Sequence, residues 1–209
     1  MIYLIITTCI QNRHGLQLEA ERKERYLYAI SETLSHLPAD IQPIIVENNG
    51  KRETYLDHFE HNGKKVPVVY TDNNKFTHFK SKGMNELLDL HAVIDKQNIQ
   101  EDDIIIKLTG RYRVLSPAFF HDVLQHEATY DAFVKFYNVC ELKFETYDCV
   151  LGMYAIRVRH FLLNRVPGNY ASAEIAFARY VRLCGARYKE MLQLDLECQF
   201  ADDNRILVV

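Results

Sequence analysis

The chain has 209 residues, 48% hydrophobic and 25% charged, a size and balance that suit one domain around a single sizeable core. A net charge of -3 excludes binding to nucleic acid through a basic field over the whole surface. Five cysteines, odd in number, widely spaced and without a Cys-x-x-Cys pair, argue for reduced thiols in a cytoplasmic setting and against a zinc site or disulfide framework.

The opening "MIYLIITTCI" is apolar but lacks a basic start and a small-residue cleavage site, so it predicts a core strand over 2–10 and not a signal peptide. No apolar run approaches the length of about 18 residues that a membrane span needs. Residues 19–37 predict an amphipathic helix with Tyr26, Ile30, Thr33, Leu34 and Leu37 on one face, ended by Pro38. A second strand over 41–46 runs into the turn cluster Glu47-Asn48-Asn49-Gly50, and 51–59 suits a short helix. A third strand over 66–70 is followed by Thr71-Asp72-Asn73-Asn74.

A helix over 83–94 places Met84, Leu87, Leu88, His91 and Ile94 inward, and 104–108 is a fourth strand. Ser116 as cap and Pro117 as first helical residue open a helix to about 126. Strands are expected over 132–137 and 150–156, a helix over 171–183, and short closing strands over 191–196 and 206–209. The β-α-β-α-β-α-β order to residue 108, mixed thereafter, predicts a single α/β domain, a mostly parallel mixed sheet flanked by helices. Its halves are a nucleotide-binding part (1–112) and an acceptor or catalytic part (113–209).

Such sheets hold ligands at the carboxyl ends of their strands. Here those ends carry Thr7, Thr8 and then Arg13; Glu47 and Asn48; Asp72 and Asn74; and Lys107, Thr109 and Arg111. The first turn, "TTCIQNRHG", lacks the GxGxxG of a dinucleotide fold, and no phosphate-binding lysine loop occurs. Thr8 with Glu47 or Asn48 suits a nucleoside, and Lys107 with Arg111 suits its diphosphate, a lysine as a point charge and an arginine as a planar fork. Lys82, beside a glycine before a helix, is a further phosphate candidate. The competing reading pairs Lys107 and Arg111 with Glu86, Asp89 or Asp148 in a structural network.

"IIIKLTGRY", preceded by "KSKGMNELLDL" and with "IIVENNG" upstream, resembles the GT-A type nucleotide-sugar glycosyltransferases, and within them the domains that chlorella viruses encode for capsid glycans. The resemblance runs to about residue 112 and more loosely to the helix near 171. It implies a UDP-sugar donor, a glycan acceptor, a manganese or magnesium ion and, for a viral enzyme, the host cytoplasm. The family's metal-binding Asp-x-Asp is replaced here by Lys107-Leu108-Thr109. That leaves Asp72, with Asn74 two residues on, as the metal candidate, with Asp202-Asp203 and Asp102-Asp103 behind it.

An inverting transfer needs a carboxylate base. Glu174, in the first turn of a helix capped by Ser172, is the first candidate and Asp148 the second. The alternatives are a sugar-phosphate nucleotidyltransferase, which normally carries a glycine-rich basic loop after the first strand, and a non-catalytic nucleotide-sugar or glycan-binding module. The chain also reads as one domain of a larger protein. "EAERKER" reads as an exposed helix face.

Overall fold

A computed structural model of the protein describes residues 1–11, 19–50, 55–75, 82–136, 148–162, 172–199 and 205–209. In chain order the elements are β1 (Ile2–Thr8), α1 (Glu19–His36), β2 (Ile41–Glu47), β3 (Glu60–His61), β4 (Lys64–Lys65), β5 (Val68–Tyr70), α2 (Lys82–Lys96), β6 (Ile104–Thr109), β7 (Arg113–Val114), α3 (Ala118–His126), β8 (Ala132–Val134), β9 (Met153–Arg157), α4 (Val158–Leu162), α5 (Ala173–Leu183), β10 (Tyr188–Glu190), β11 (Leu196–Gln199) and β12 (Ile206–Val208).

Seven strands form the central sheet in the order β10-β8-β9-β6-β1-β2-β5, in which β9 alone runs antiparallel to its neighbours. The chain is therefore the α/β domain expected, with a mostly parallel mixed sheet between helices. Strand order reverses at β1, which has β2 on one side and β6 on the other, so the crevice above β1 and β6 is the switch point of the sheet. A small second sheet, β12-β11-β7, stands beside it.

The strands alternate between two cores because successive side chains point to opposite faces. Ile2, Leu4 and Ile6 of β1 and Ile104, Ile106 and Leu108 of β6 pack in one core with Tyr26, Ile30 and Leu34 of α1 and Phe119, Phe120 and Val123 of α3. Tyr3 and Ile5 of β1 and Ile105 of β6 pack in the other with Leu90, Val93 and Ile94 of α2 and Phe177, Ala178 and Val181 of α5. This parity fixes which helix each residue at a strand end meets.

Four expectations change. Residues 55–58 form a turn and not a helix, and 51–54 lie outside the described residues. The inward face of α2 is Asp89, Leu90, Val93 and Ile94, whereas Leu87, Leu88 and His91 are half-buried, because Asp89 is drawn in by donors from the strand ends. At α3 the cap position belongs to Pro117, and the Ser116 hydroxyl before it donates to Asp195 Oδ2 at 2.5 Å and accepts from Ala118 N at 3.3 Å. Residues 191–195 lie between strands: Met191 N donates to Val134 O, and Leu194 N to Val209 O.

Candidate functional site

Parity places Thr7, Lys107 and Thr109 on the α2 and α5 face, where each meets polar groups. Lys107 is 1% exposed, and all three of its N–H bonds are matched by protein oxygens: Glu86 Oε1 at 2.8 Å, Thr109 Oγ1 at 2.8 Å and Leu151 O at 2.7 Å. Thr7 Oγ1 donates to the same Glu86 oxygen at 2.5 Å. Burial lowers the Lys107 pKa against the raising effect of Glu86. For Glu86, burial raises the carboxyl but the Lys107 ammonium, with Thr7, brings the net shift below the usual range. Of the two cations expected at phosphate, Lys107 thus lies inside the protein as a clasp between α2, β6 and the segment before β9. Its pairing with Glu86 is the structural network weighed against the phosphate role.

Arg111 is placed differently. Its Nε donates to Gln199 O at 2.9 Å and its guanidinium lies 4.8 Å from the centre of the Tyr112 ring. Between the two, Gly110 comes so close to β1 that a Cβ would stand 2.9 Å from Thr7 O, while its N–H donates to that carbonyl at 2.9 Å. The close approach that this glycine permits is to the neighbouring strand.

Thr8 and Glu47 fall on the α1 face. Glu47 is 1% exposed and its carboxylate accepts from Thr8 Oγ1 at 2.9 Å, Tyr55 OH at 2.9 Å, Asn49 N at 3.1 Å and Ile10 N at 3.3 Å. Burial raises its pKa although these donors pull the other way. Glu47 therefore rivets the exits of β1 and β2 together. Asn48, on the opposite face, donates to Asp89 Oδ2 at 3.0 Å, and its Oδ1 is buried with no partner among the described residues. Asp89 also accepts from Thr71 Oγ1 at 2.6 Å and Asn73 Nδ2 at 2.7 Å. Burial raises Asp89 to about 6 against these neutral donors.

Asp72 is exposed at the exit of β5, 2.6 Å from where a Cβ on Gly50 would sit, and Gly50 has φ +76°, so the turn requires glycine twice over. Asp148 is buried and accepts from Cys149 N at 2.9 Å. Ser172 caps α5 as expected: its hydroxyl accepts from Ile175 N at 3.4 Å and donates to Glu174 Oε2 at 2.7 Å. Cys149 Sγ donates to Glu174 O at 3.3 Å, which joins the segment of Asp148 to the start of α5. Glu174 also lies within electrostatic reach of Lys107.

The structure thus brings Thr7, Thr8, Glu47, Asn48, Asp72, Lys107, Thr109, Arg111, Asp148 and Glu174 to one edge of the sheet. Arg13 and Asp202-Asp203 lie outside the described residues, as does the Lys82 side chain, although Lys82 opens α2. Asp102-Asp103 sits at the other edge, where Asp103 takes the Met1 ammonium at 2.7 Å and Asp102 takes Arg159 at 2.9 Å. Among the described residues no three His, Cys, Asp or Glu side chains gather as a metal site. No described helix is long and apolar enough to cross a membrane. Glu86 and Asp89 are the site residues that were named only as structural partners; their spacing of three on one helix face was the available signal.

No protein-family model and no curated protein sequence matches the chain. Solved structures do. A candidate nucleotide-diphospho-sugar transferase from Desulfovibrio desulfuricans superposes with a TM-score of 0.56 at 8% identity, covering 91% of this chain and 79% of that one. The mannosyltransferase PcManGT from Pyrobaculum calidifontis, solved with GDP-Man and Mn2+, gives 0.52 at 11% identity and covers 91% and 54%. A candidate glucose-1-phosphate thymidylyltransferase from Bacillus anthracis, solved with a sucrose, gives 0.50 at 12% identity and covers 91% and 87%. The fold is that of the nucleotide-diphospho-sugar transferases, and the chain spans about half the length of the mannosyltransferase.

Proposed function

We propose that the chain is a glycosyltransferase that takes a sugar from a nucleotide-sugar, a UDP-sugar, and passes it to a glycan hydroxyl. One observation carries the reading: on this fold the polar strand ends, the orphaned Asn48 Oδ1 and the Glu174 carboxylate converge at the edge that holds the switch point. The nucleoside lies over the ends of β1 and β2, where Asn48 offers an acceptor. The diphosphate lies towards Arg111. Residues 1–112 serve the nucleotide, and 113–209 the acceptor and the chemistry.

In the transfer, the acceptor oxygen bonds to the anomeric carbon and gives its proton to Glu174. The bond from that carbon to the diphosphate breaks, and its electron pair leaves with UDP. The Ser172 hydroxyl holds one Glu174 oxygen and leaves the other for the acceptor. Asp148 is the second carboxylate for acceptor or donor sugar. Lys107 and Glu86 position Thr7 and Thr109 at the crevice. A divalent ion would have Asp72 as its entry point, and no step above runs through one. The link to viral capsid glycans and a host cytoplasm rests on the "IIVENNG", "KSKGMNELLDL" and "IIIKLTGRY" blocks.

The nucleotidyltransferase reading is favoured by one observation, the likeness to the thymidylyltransferase, and opposed by the lack of a glycine-rich basic loop in "TTCIQNRHG". Calorimetric titration of UDP, GDP and CDP, each with manganese and again with EDTA, tests the proposal. Selective UDP binding together with release of UDP from a UDP-sugar supports it. UDP binding without turnover supports a binding module, and the absence of nucleotide binding in both conditions removes the proposal.

A further inference from the structure

Five of the described arginines are paired with acids. Arg25 and Arg113 share Glu197, each at 2.7 Å, and Arg157, Arg159 and Arg187 converge on Asp131. Arg22 and Arg111 are different. Arg22, one turn into α1, donates from Nη2 to Cys9 O at 2.6 Å and to Tyr26 OH at 3.2 Å, and from Nε to Ile10 O at 3.3 Å. Arg111 donates to Gln199 O and lies over Tyr112, and the same Tyr26 hydroxyl is within its reach. Neither guanidinium meets a carboxylate among the described residues.

The acids nearest in electrostatic terms are occupied. Glu86 acts on Arg111, but its carboxylate is held by Lys107 and Thr7. Glu47 acts on Tyr26 and Cys9, but it is filled by two hydroxyls and two backbone N–H groups. Two guanidiniums therefore flank one buried hydroxyl at the exits of β1 and β6, both half-buried and, among the described residues, held by neutral acceptors. Like charges so held repel, and each fork keeps donors for a planar oxyanion.

We infer that Arg22 and Arg111 form a two-arginine clamp for a phosphate-bearing ligand, with Arg22 the member that the exposed-face reading of "EAERKER" had set aside. This rests on the nucleotide-sugar reading for the ligand's identity, a nucleoside diphosphate, but not for its charge. Arg22 enters from α1 and Arg111 from beyond β6, so the clamp closes over the strand crevice from two elements.

The test compares wild type with R22Q and R111Q for UDP, uridine and pyrophosphate by calorimetry. Glutamine keeps an N–H for the Cys9 or Gln199 carbonyl but removes the charge. The expected result is a tenfold or greater loss of UDP and pyrophosphate affinity in each variant, with uridine affinity unchanged. Equal UDP and pyrophosphate affinity in wild type and both variants overturns the clamp while leaving UDP selectivity, and with it the glycosyltransferase reading, intact. Parallel losses for uridine and UDP show a structural role for these arginines and also overturn it. Arginine-dependent binding of pyrophosphate without UDP binding keeps the clamp and removes the nucleotide reading. Binding of neither ligand to wild type removes both.

Discussion

The two edges of the sheet hold buried carboxylates in opposite ways. At the amino edge, Asp131 is surrounded by cations: Arg157 Nε at 3.0 Å, Arg159 Nη2 at 3.2 Å and Arg187 Nε at 3.3 Å. Burial alone would raise its carboxyl, but the Arg187 backbone N–H and the Arg157 and Arg187 guanidiniums bring it to about 2. At the carboxyl edge, Asp89 meets two amides and a hydroxyl, and burial wins, at about 6. The amino edge is neutralised within the fold and closes β8, β9 and β10 together. The carboxyl edge has one buried ion pair, Lys107 with Glu86, and otherwise leaves Glu47 and Asp89 among neutral donors and two arginines without acids among the described residues. A sheet that gathers its cations around the buried acid at one edge and leaves Asp89 with neutral donors at the other keeps part of the second edge free to answer a ligand.

Substitutions at the two edges should therefore separate chemistry from stability. The largest effect is expected for Glu174→Gln: turnover reduced about 10²–10⁴-fold, the usual worth of a general base, with UDP affinity near normal. A glycosyl-transfer assay beside UDP calorimetry reads both, and full activity in the variant removes Glu174 as the base. Next comes Asp131→Asn, which leaves three guanidiniums around a neutral amide. The shift of Asp131 from about 3.9 unfolded to about 2 is worth about 2.5 kcal/mol, so the urea midpoint should fall while the UDP affinity of the folded protein stays constant. A midpoint unchanged from wild type would mean that the amino edge is not held by charge, and the contrast between the edges would collapse.

Much of this was legible in the sequence, for identifiable reasons. The uninterrupted β-branched runs of β1, β2 and β6 mark strands buried on both faces, and the turn residues after them mark the ligand edge. The sequence did not say which polar side chains there face a ligand and which hold the fold. Lys107 stands two residues after Ile105 and so faces α2, where Glu86, 21 positions earlier in the chain, meets it. Asp89 lies 41, 18 and 16 residues from its donors, separations that no local pattern encodes. Arg22 is one cation in a charged run, and only the fold sets it beneath the exit of β1.

Asp89 gives the smallest effect and the sharpest version of the contrast. An unfolded aspartate titrates near 3.9, as a general reference. Folded Asp89 keeps its proton to about 6, so from about pH 4 to 6 the native state binds the extra proton and stability falls as pH rises. Asp131 has the opposite sign: with a folded value of about 2, its contribution is present above about pH 4 and is lost as pH falls from there. Asp89→Asn removes the first slope and leaves the second. Relative to wild type, the variant should gain on the order of 2 kcal/mol between pH 4.5 and pH 7, read from urea unfolding at the two pH values. Parallel pH profiles for the two proteins would mean that Asp89 is ionised in the native state throughout. It would then be a second clasp, and the carboxyl edge would differ from the amino edge only in its arginines.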